Sequence, residues 1–273
     1  MSGEPLLRGD GPRPDDARRP DDGQQARRHA MVQDQLAARG ISDPAVLTAM
    51  ESVPRHRFVP PPMERHAYTD GALSIGLGQT ISQPYIVALM TELLRLDGSS
   101  RLLEIGTGSG YQAAVAACIA AEVWSVERME TLSQRAAALL IALGVHNVHL
   151  VVGDGSRGLP EQSPFDAVIV TAATERVPPA LLGQLTEGGR LVVPIGPIGH
   201  TQTLTVFVRH GDGFQVREDI PCRFVPLIES PRASAVGGDD TEGGSAPSAS
   251  ADRAVEDESK GPQSVEGEVR KGT

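Results

Sequence analysis

The feature that most constrains this fold is an apolar run that breaks into alternating glycines, residues 102–110. It reads Leu-Leu-Glu-Ile-Gly-Thr-Gly-Ser-Gly, and a helix-like stretch follows from Tyr111 to Ala121. A buried strand that ends in glycines lets a ligand approach the backbone, because no Cβ atom holds it away. The N–H groups at the start of the following helix point at the same spot. The segment therefore predicts a ligand site, with an ordinary strand-to-helix turn as the alternative.

Two acidic residues near the glycines indicate the class of ligand. Glu104 precedes the first glycine, and Glu127 closes the next apolar run, where an acid about 20 positions on meets ribose hydroxyls. A dinucleotide fold places its third glycine one residue later, so that pyrophosphate sits on the helix end. Two acids suit a ligand with an amine and a ribose, such as S-adenosylmethionine. The spacing favours a methyltransferase over a nicotinamide enzyme or an unrelated turn.

The order of the predicted elements gives the fold class. Helices are predicted over residues 31–40, 45–52, 84–96, 110–121, 130–143 and 179–185, and strands over residues 102–105, 123–127, 148–152, 167–170 and 191–195. Strands that are apolar on both faces and separated by helices predict an α/β fold, a doubly wound, mostly parallel, Rossmann-like sheet. Residues 203–209 and 214–220 flank Gly-Asp-Gly and predict a C-terminal antiparallel β-hairpin.

The two ends of the chain differ from its middle in composition. All nine aromatic residues lie between Phe58 and Phe224. Residues 1–26 are rich in Gly, Pro and charged residues, and residues 231–273 are rich in Gly, Ser, Ala, Asp and Glu. Such segments bury too little apolar surface to offset the entropy of ordering. We expect a methyltransferase domain over residues 27–230 between a disordered arm and a disordered acidic tail.

Charge and hydropathy narrow the partners. Residues 31–230 hold 14 basic and 20 acidic residues, and both lysines of the chain, Lys260 and Lys271, lie in the tail. An acidic domain argues against a nucleic-acid partner, because such affinity rests on clustered Lys and Arg. No apolar stretch reaches the roughly 18 residues of a membrane span, and the N-terminus lacks a signal-peptide core. We predict a cytoplasmic monomer without a membrane or nucleic-acid partner.

Neither the cysteines nor the histidines form a metal-binding pattern. Cys118 and Cys222 have no metal or redox spacing, and we expect both to be small buried residues. The seven histidines form no His-x-x-x-His or mixed Cys/His cluster. The sequence therefore predicts no metal site.

Six segments together resemble the bacterial protein-L-isoaspartate O-methyltransferases. They read Gln-Thr-Ile-Ser-Gln-Pro at residues 79–84, Leu-Glu-Ile-Gly-Thr-Gly-Ser-Gly-Tyr at 103–111, Ser-Val-Glu-Arg at 125–128, Gly-Asp-Gly at 153–155, Pro-Phe-Asp-Ala-Val-Ile-Val-Thr-Ala-Ala at 164–173 and Arg-Phe-Val-Pro-Leu at 223–227. The glycine motif is shared by many methyltransferases, whereas the first and last segments are more particular to this family. The resemblance covers about residues 31–229 and neither chain end.

The resemblance implies an activity and an acceptor site. The family uses S-adenosylmethionine to methylate the free α-carboxylate of L-isoaspartyl residues in damaged proteins and peptides. Its pattern places the active-site serine at Ser82, whose hydroxyl would orient the carboxylate, because no histidine in the motif could activate it as a nucleophile. Ile81 and Gln83 would line the same pocket, and Val225 would contribute its backbone at the entrance. Alternatively, Ser82 caps the helix that begins near Pro84.

The resemblance also implies a set of cofactor-binding residues. They surround the three glycines and two later turns: Glu104, Gly106, Thr107, Gly108, Ser109, Gly110, Glu127, Asp154 and Gly155. The glycines would admit the methionine portion, with Glu104 near its amino group, Glu127 at the ribose, and Asp154 with Gly155 beside the adenine. Glu127 as a solvated strand end and Asp154 as a plain turn residue are the alternatives.

Two other functions stay open at this point. One is a methyltransferase that acts on RNA or on a small molecule. Against it stand the acidic domain and Thr-Ala-Ala at residues 171–173, where amino-methylating enzymes often carry an Asn/Asp-Pro-Pro-aromatic motif. The other is a non-catalytic protein that binds an adenosyl ligand, and the intact Ser82 and Glu127 count against it.

Overall fold

The computed structural model describes residues 23–228, so residues 1–22 of the predicted arm and the whole predicted tail lie outside the described residues. Helix α1 spans Gln24–Ala30 and continues as a π-helical segment, Met31–Leu36, and a 3₁₀ turn, Ala37–Arg39. The first helix therefore begins before the predicted residue 31, and its first three residues fall within the segment predicted as the arm. The early start of the helix depends on a tertiary contact, because the buried Arg28 side chain donates a hydrogen bond to the Glu51 carbonyl.

Short helices and a small sheet precede the main sheet in the chain. Helix α2, Pro44–Ser52, is capped by Asp43, whose side chain accepts from the Ala45 N–H at 2.8 Å, and 3₁₀ turns follow over Arg55–Phe58 and Pro61–His66. Strands β1, Leu73–Gly76, and β2, Gln79–Ile81, form a two-stranded antiparallel sheet that was not predicted from the sequence. Helix α3, Pro84–Leu94, then leads into the main sheet.

The main sheet has seven strands. Its elements are β3 (Arg101–Ile105), α4 (Tyr111–Ala117), β4 (Glu122–Glu127), α5 (Glu130–Ala142), β5 (Val148–Val152), β6 (Phe165–Val170), α6 (Pro179–Gly183), β7 (Leu185–Ile195), β8 (Gln202–His210) and β9 (Gly213–Cys222). The strand order is β5-β4-β3-β6-β7-β8-β9. The first five strands run parallel, and β8 and β9 add the antiparallel hairpin. The predicted fold class is confirmed.

The strand order places a ligand crevice at the centre of the sheet. The chain enters at β3, moves outward through β4 and β5, and then returns to the other side of β3 with β6. Helices on the two sides of this reversal diverge, and ligands of such sheets bind there, at the carboxyl ends of the strands. The glycine motif follows β3 directly. The fold thus places the glycine motif in this crevice, where its exposed backbone can contact a ligand.

The apolar strands are explained by burial on both sheet faces. Leu102 and Ile169 pack into one core cluster, whereas Leu103 and Val168 pack into a second cluster on the opposite face. Neighbouring residues of one strand thus serve different cores, which requires continuous apolar runs instead of alternation.

The two cysteines differ in their exposure to solvent. Cys222 is buried as expected, whereas Cys118 is exposed, because α4 ends at Ala117 and the next residue leaves the buried helix face.

No helix within residues 23–228 has the length and apolar character needed to cross a membrane.

Candidate active site

Two pockets meet at the carboxyl edge of the sheet, beside the crevice between β3 and β6. The first, called the cofactor pocket, is lined by the glycine loop, Glu127 and Gly155. The second, called the acceptor pocket, is lined by Ser82, Gln83 and the segment 221–225. Thr80, Thr171 and Val225 line both pockets. A group bound in one pocket can therefore face a group bound in the other.

The glycine loop approaches β6 so closely that a side chain is excluded. Gly106 has a φ of 100°, and a Cβ atom there would lie 2.5 Å from the Thr171 hydroxyl oxygen. That hydroxyl donates toward the carbonyls of Ile105, at 3.0 Å, and Gly106, at 2.7 Å. A Cβ atom on Gly155 would similarly overlap the Ile105 side chain. The floor of the cofactor pocket is thus bare backbone.

Glu127 lies in the wall of the cofactor pocket. It is only 6% exposed, so the alternative of a solvated strand end is wrong. One carboxylate oxygen accepts from the Gly108 N–H and the other from the Met129 N–H, each at 2.9 Å. Each oxygen retains a lone pair, because a carboxylate can accept about four hydrogen bonds. The residue can therefore hold the glycine loop and still accept from ligand hydroxyls.

Glu104 is fully buried behind the glycine loop. Its Oε2 accepts from the Ser125 hydroxyl, and that hydroxyl oxygen lies 2.5 Å from the Thr107 hydroxyl oxygen. Its Oε1 has no hydrogen-bond partner. Burial raises the pKa of Glu104 to about 8 against the opposing hydrogen bond from Ser125, and the nearby charge of Glu127 adds to the increase. Glu104 is not among the lining residues, so its contact with a ligand amine stays a prediction.

The remaining predicted cofactor residues make contacts within the protein. Thr107 is 3% exposed and faces Ser125. The Ser109 hydroxyl accepts from the Tyr111 N–H at 3.3 Å, and Gly110 packs against α5. Asp154 accepts from the N–H of Ser156 at 3.0 Å and caps a 3₁₀ turn. None of these four lines the cofactor pocket, in which Gly106, Gly108, Glu127 and Gly155 represent the predicted set.

Ser82 presents an unused hydroxyl to the acceptor pocket. It lies between β2 and α3, and the N-cap position of α3 is Gln83, without a side-chain capping bond. Within the part of the chain that the structure describes, the hydroxyl of Ser82 makes no hydrogen bond to protein. The capping alternative therefore fails. A free donor at a pocket wall suits recognition of an anionic or carbonyl oxygen.

The neighbours predicted beside Ser82 divide into two groups. Gln83 lines the acceptor pocket and donates to Asp70 at 2.6 Å, and Val225 lines it with its backbone fixed by the Ala173 N–H at 2.7 Å. Ile81 is 3% exposed and packs in the core, so its side chain does not line the pocket. Its role as a lining side chain is not supported by this geometry.

Several lining residues were not predicted. Thr171 is the most informative, because it contacts the glycine loop and lines both pockets. Its position directly after β6 was the available signal, since β6 flanks the reversal of strand order. Thr80 and Leu227 line the cofactor pocket from within the segments 79–84 and 223–227, whereas Met129 and Ile228 line it without any motif to mark them. Among residues 23–228, no group of three or more His, Cys, Asp or Glu side chains could hold a metal ion.

Comparison with known sequences agrees with this geometry. The family model described as protein-L-isoaspartate(D-aspartate) O-methyltransferase matches residues 26–232. A protein-L-isoaspartate O-methyltransferase from Opitutus terrae is 55% identical over 200 residues, which is 73% of this chain and 86% of the relative. One from Anaeromyxobacter dehalogenans is 54% identical over 200 residues, which is 72% of this chain and 96% of the relative.

Solved structures show the same fold. A protein-L-isoaspartate O-methyltransferase superposes with a TM-score of 0.66 at 33% identity, over 73% of this chain and 65% of that chain. A putative protein-L-isoaspartate O-methyltransferase from Plasmodium falciparum, in complex with S-adenosyl-L-homocysteine, gives a TM-score of 0.64 at 24% identity, over 76% of this chain and 99% of that chain. The family match and the identity to close relatives lead to one conclusion: the chain belongs to the protein-L-isoaspartate(D-aspartate) O-methyltransferase family.

Proposed function

We propose that this protein transfers a methyl group from S-adenosylmethionine to the free α-carboxylate of L-isoaspartyl residues in damaged proteins and peptides. The observation that carries the proposal is the junction of the two pockets at Thr80, Thr171 and Val225. At this junction, a pocket whose floor is glycine backbone, suited to an adenosyl ligand, lies beside a pocket that has a free hydroxyl donor. Direct methyl transfer requires this adjacency of donor and acceptor.

The cofactor pocket fits an adenosyl ligand in its chemistry. S-adenosylmethionine, when bound, supplies an electrophilic methyl group on a sulfonium centre. Gly106 and Gly108 let the ligand reach the backbone, and the Glu127 carboxylate accepts from the ribose hydroxyls. Gly155 leaves room for the base, with Asp154 shaping the turn beside it. Glu104, with its unused Oε1, serves the amino end of the ligand, together with the backbone of Thr107, Ser109 and Gly110.

The acceptor pocket has to align a carboxylate that is already ionised. An α-carboxyl group has a pKa near 3.3–3.7, so at pH 7 the reaction needs no general base. The Ser82 hydroxyl donates to one carboxylate oxygen and turns the other toward the methyl group. Gln83 and Val225 line the pocket beside it, and Ile81 supports this wall from the core. Positioning of this kind contributes on the order of 7–11 kcal/mol to lowering a barrier.

Methyl transfer from labelled cofactor to an isoaspartyl peptide tests the proposal, with the aspartyl twin of that peptide as the control. We expect label on the isoaspartyl peptide alone. Label on RNA or on a small molecule instead would favour the other methyltransferase function, and binding without transfer would favour a non-catalytic protein.

Three further assignments accompany this function. The catalytic unit is the domain over residues 27–230, extended to the start of α1, and the two chain ends are outside it. Isoaspartyl proteins and peptides are its partners. The cytoplasmic location, the monomeric state and the lack of a nucleic-acid partner stay predictions from composition.

A further inference from the structure

Arg55 is the largest side chain of the described residues with no solvent exposure. It begins the 3₁₀ turn that follows α2 and lies outside every motif named above. Its Nε donates to the Ala67 carbonyl at 2.8 Å, and an Nη2 N–H donates to the Ser82 carbonyl at 2.6 Å. The guanidinium thus holds the backbone of Ser82, whose hydroxyl faces the acceptor pocket.

The same guanidinium also contacts the cofactor side. Its central carbon lies 4.9 Å from the ring centroid of Tyr111, the first residue of α4 directly after the glycine loop. Tyr111 is itself buried, at 1% exposure, and packs edge-on against Phe58. Arg55 therefore connects the acceptor segment to the helix that carries the glycine loop. The two segments thus share one buried neighbour.

The charge of Arg55 is not neutralised by the protein. No acidic side chain among residues 23–228 pairs with it, and its Nη1 has no hydrogen-bond acceptor. Its titratable neighbours are phenols, Tyr111 and Tyr68, and burial lowers the pKa of Arg55 while raising that of Tyr111 to about 12, which keeps that phenol neutral. An arginine keeps its proton even so. Burying an unpaired charge is costly, and an apolar side chain of similar volume would be cheaper.

We propose that Arg55 is the positioning residue of the acceptor pocket, which holds the Ser82 backbone and attracts the substrate carboxylate with its uncompensated charge. The inference rests on the proposed function, since the anion that completes the charge is the α-carboxylate. In low-dielectric surroundings the charge of Arg55 acts on a carboxylate in the acceptor pocket without direct contact, with Ser82 between the two groups. Methyl transfer turns the carboxylate into a neutral ester and ends the attraction. The residue thus favours binding of the substrate over retention of the product.

The test compares two peptides in two variants. One peptide carries the isoaspartyl α-carboxylate and the other carries a carboxamide in its place, measured as a competitive inhibitor. Arg55→Gln keeps a donor and loses the charge, whereas Arg55→Lys keeps the charge. We expect Arg55→Gln to raise KM for the carboxylate peptide about tenfold and to leave the inhibition constant of the carboxamide peptide unchanged. Arg55→Lys keeps a charge but loses one of the two backbone hydrogen bonds, so we expect it to raise KM for the carboxylate peptide less than Arg55→Gln does and to leave carboxamide inhibition unchanged.

Arg190 supplies a matched control. It is half-buried and donates to the Leu93 carbonyl at 2.6 Å, away from both pockets. Arg190→Gln should leave both peptide constants unchanged. Equal losses for the carboxylate and carboxamide peptides in Arg55→Gln would show a merely structural role and overturn the proposal.

Where Arg55→Gln does not fold, as judged by circular dichroism, Arg55→Lys decides. Retention of the wild-type preference for the carboxylate peptide supports the charge, and loss of that preference overturns it. Failure of wild-type protein to distinguish isoaspartyl from aspartyl peptide would instead contradict the proposed function itself. The two failures are therefore distinguishable.

Discussion

The cofactor pocket and the acceptor pocket share three lining residues, but they are assembled differently. The cofactor pocket takes Gly106 and Gly108 from the loop after β3 and Glu127 from the end of β4, two adjacent parallel strands that are close in sequence. The acceptor pocket joins Ser82 to Thr171 and to the segment 221–225, which follow different elements far apart in the chain. A local motif therefore supplies two glycines and the acid of the first pocket, whereas its remaining wall and the whole second pocket form only in the folded chain.

The largest effect is expected at Ser82. Ser82→Asp should abolish methyl transfer to isoaspartyl peptide, because a second negative charge would oppose the substrate carboxylate. The free energy of unfolding should change by less than about 0.5 kcal/mol, since the native hydroxyl bonds to no other described residue. Activity assays and thermal unfolding check both statements. Ser52→Asp, at the exposed end of α2, is the control for added charge. A fully active Ser82→Asp would contradict the acceptor role.

Gly106→Ala should come next, because it damages the shared wall of both pockets. The new Cβ atom would meet the Thr171 hydroxyl, and the positive φ adds a backbone cost of about 1–3 kcal/mol. We expect lower stability together with weaker binding of both cofactor and peptide. Gly144→Ala is the control, since Gly144 has a φ of 72° with open space around it and should show the backbone cost alone. Equal behaviour of the two variants in binding would argue against close approach at Gly106.

Glu127→Ala should affect the cofactor pocket selectively. Loss of charge-assisted hydrogen bonds to the ribose should weaken cofactor binding by about 1.5–3 kcal/mol, as measured by calorimetry. The N–H groups of Gly108 and Met129 lose their acceptor as well, so the free energy of unfolding should fall. Glu127→Gln, which keeps the shape and one acceptor oxygen, separates the two effects. Unchanged cofactor affinity in both variants would rule out the ribose assignment.

Glu104 should make stability depend on pH. Its folded-state pKa of about 8 lies above the ordinary value of 4.5, so the folded protein binds this proton more tightly than the unfolded chain does. The associated stabilisation is complete below pH 4.5 and is lost as the pH rises toward 8, at up to about 1.4 kcal/mol per pH unit. Glu104→Gln should remove this slope in denaturant titrations without cofactor. Glu122→Gln, at an acid whose pKa is lowered, should leave the slope in place. A wild-type slope in Glu104→Gln would contradict the assignment.

The difference between the pockets also explains what the sequence could predict. Long apolar runs predicted the central strands β3 and β6, because burial on both faces leaves a clear pattern. Strand β5 was also predicted with its observed bounds, although it is an edge strand whose residues are only partly buried or exposed. The strands β1 and β2 have four and three residues, too few for any periodicity to show. Strand β7 begins at Leu185 and not at residue 191, since Gly188 and Gly189 lie within the strand beside a register shift.

The same reasoning applies to the site residues. Gly106, Gly108, Glu127 and Gly155 were predicted to bind the cofactor and do line its pocket, because the strand ends fix their position. Arg55 carries no motif, and its importance depends on contacts with Ala67 and Ser82 that exist only after folding. Burial of a lone arginine cannot be recognised in a sequence in which most arginines are exposed.

One paired measurement tests most directly whether the two pockets serve donor and acceptor separately. Cofactor affinity by calorimetry and kcat/KM for isoaspartyl peptide at saturating cofactor are measured for Ser82→Ala and Glu127→Ala. We expect Ser82→Ala to lower kcat/KM while cofactor affinity stays at the wild-type value, and Glu127→Ala to weaken cofactor binding while kcat/KM at saturation recovers. Loss of cofactor affinity in Ser82→Ala, with peptide turnover preserved, would contradict the assignment of the acceptor pocket.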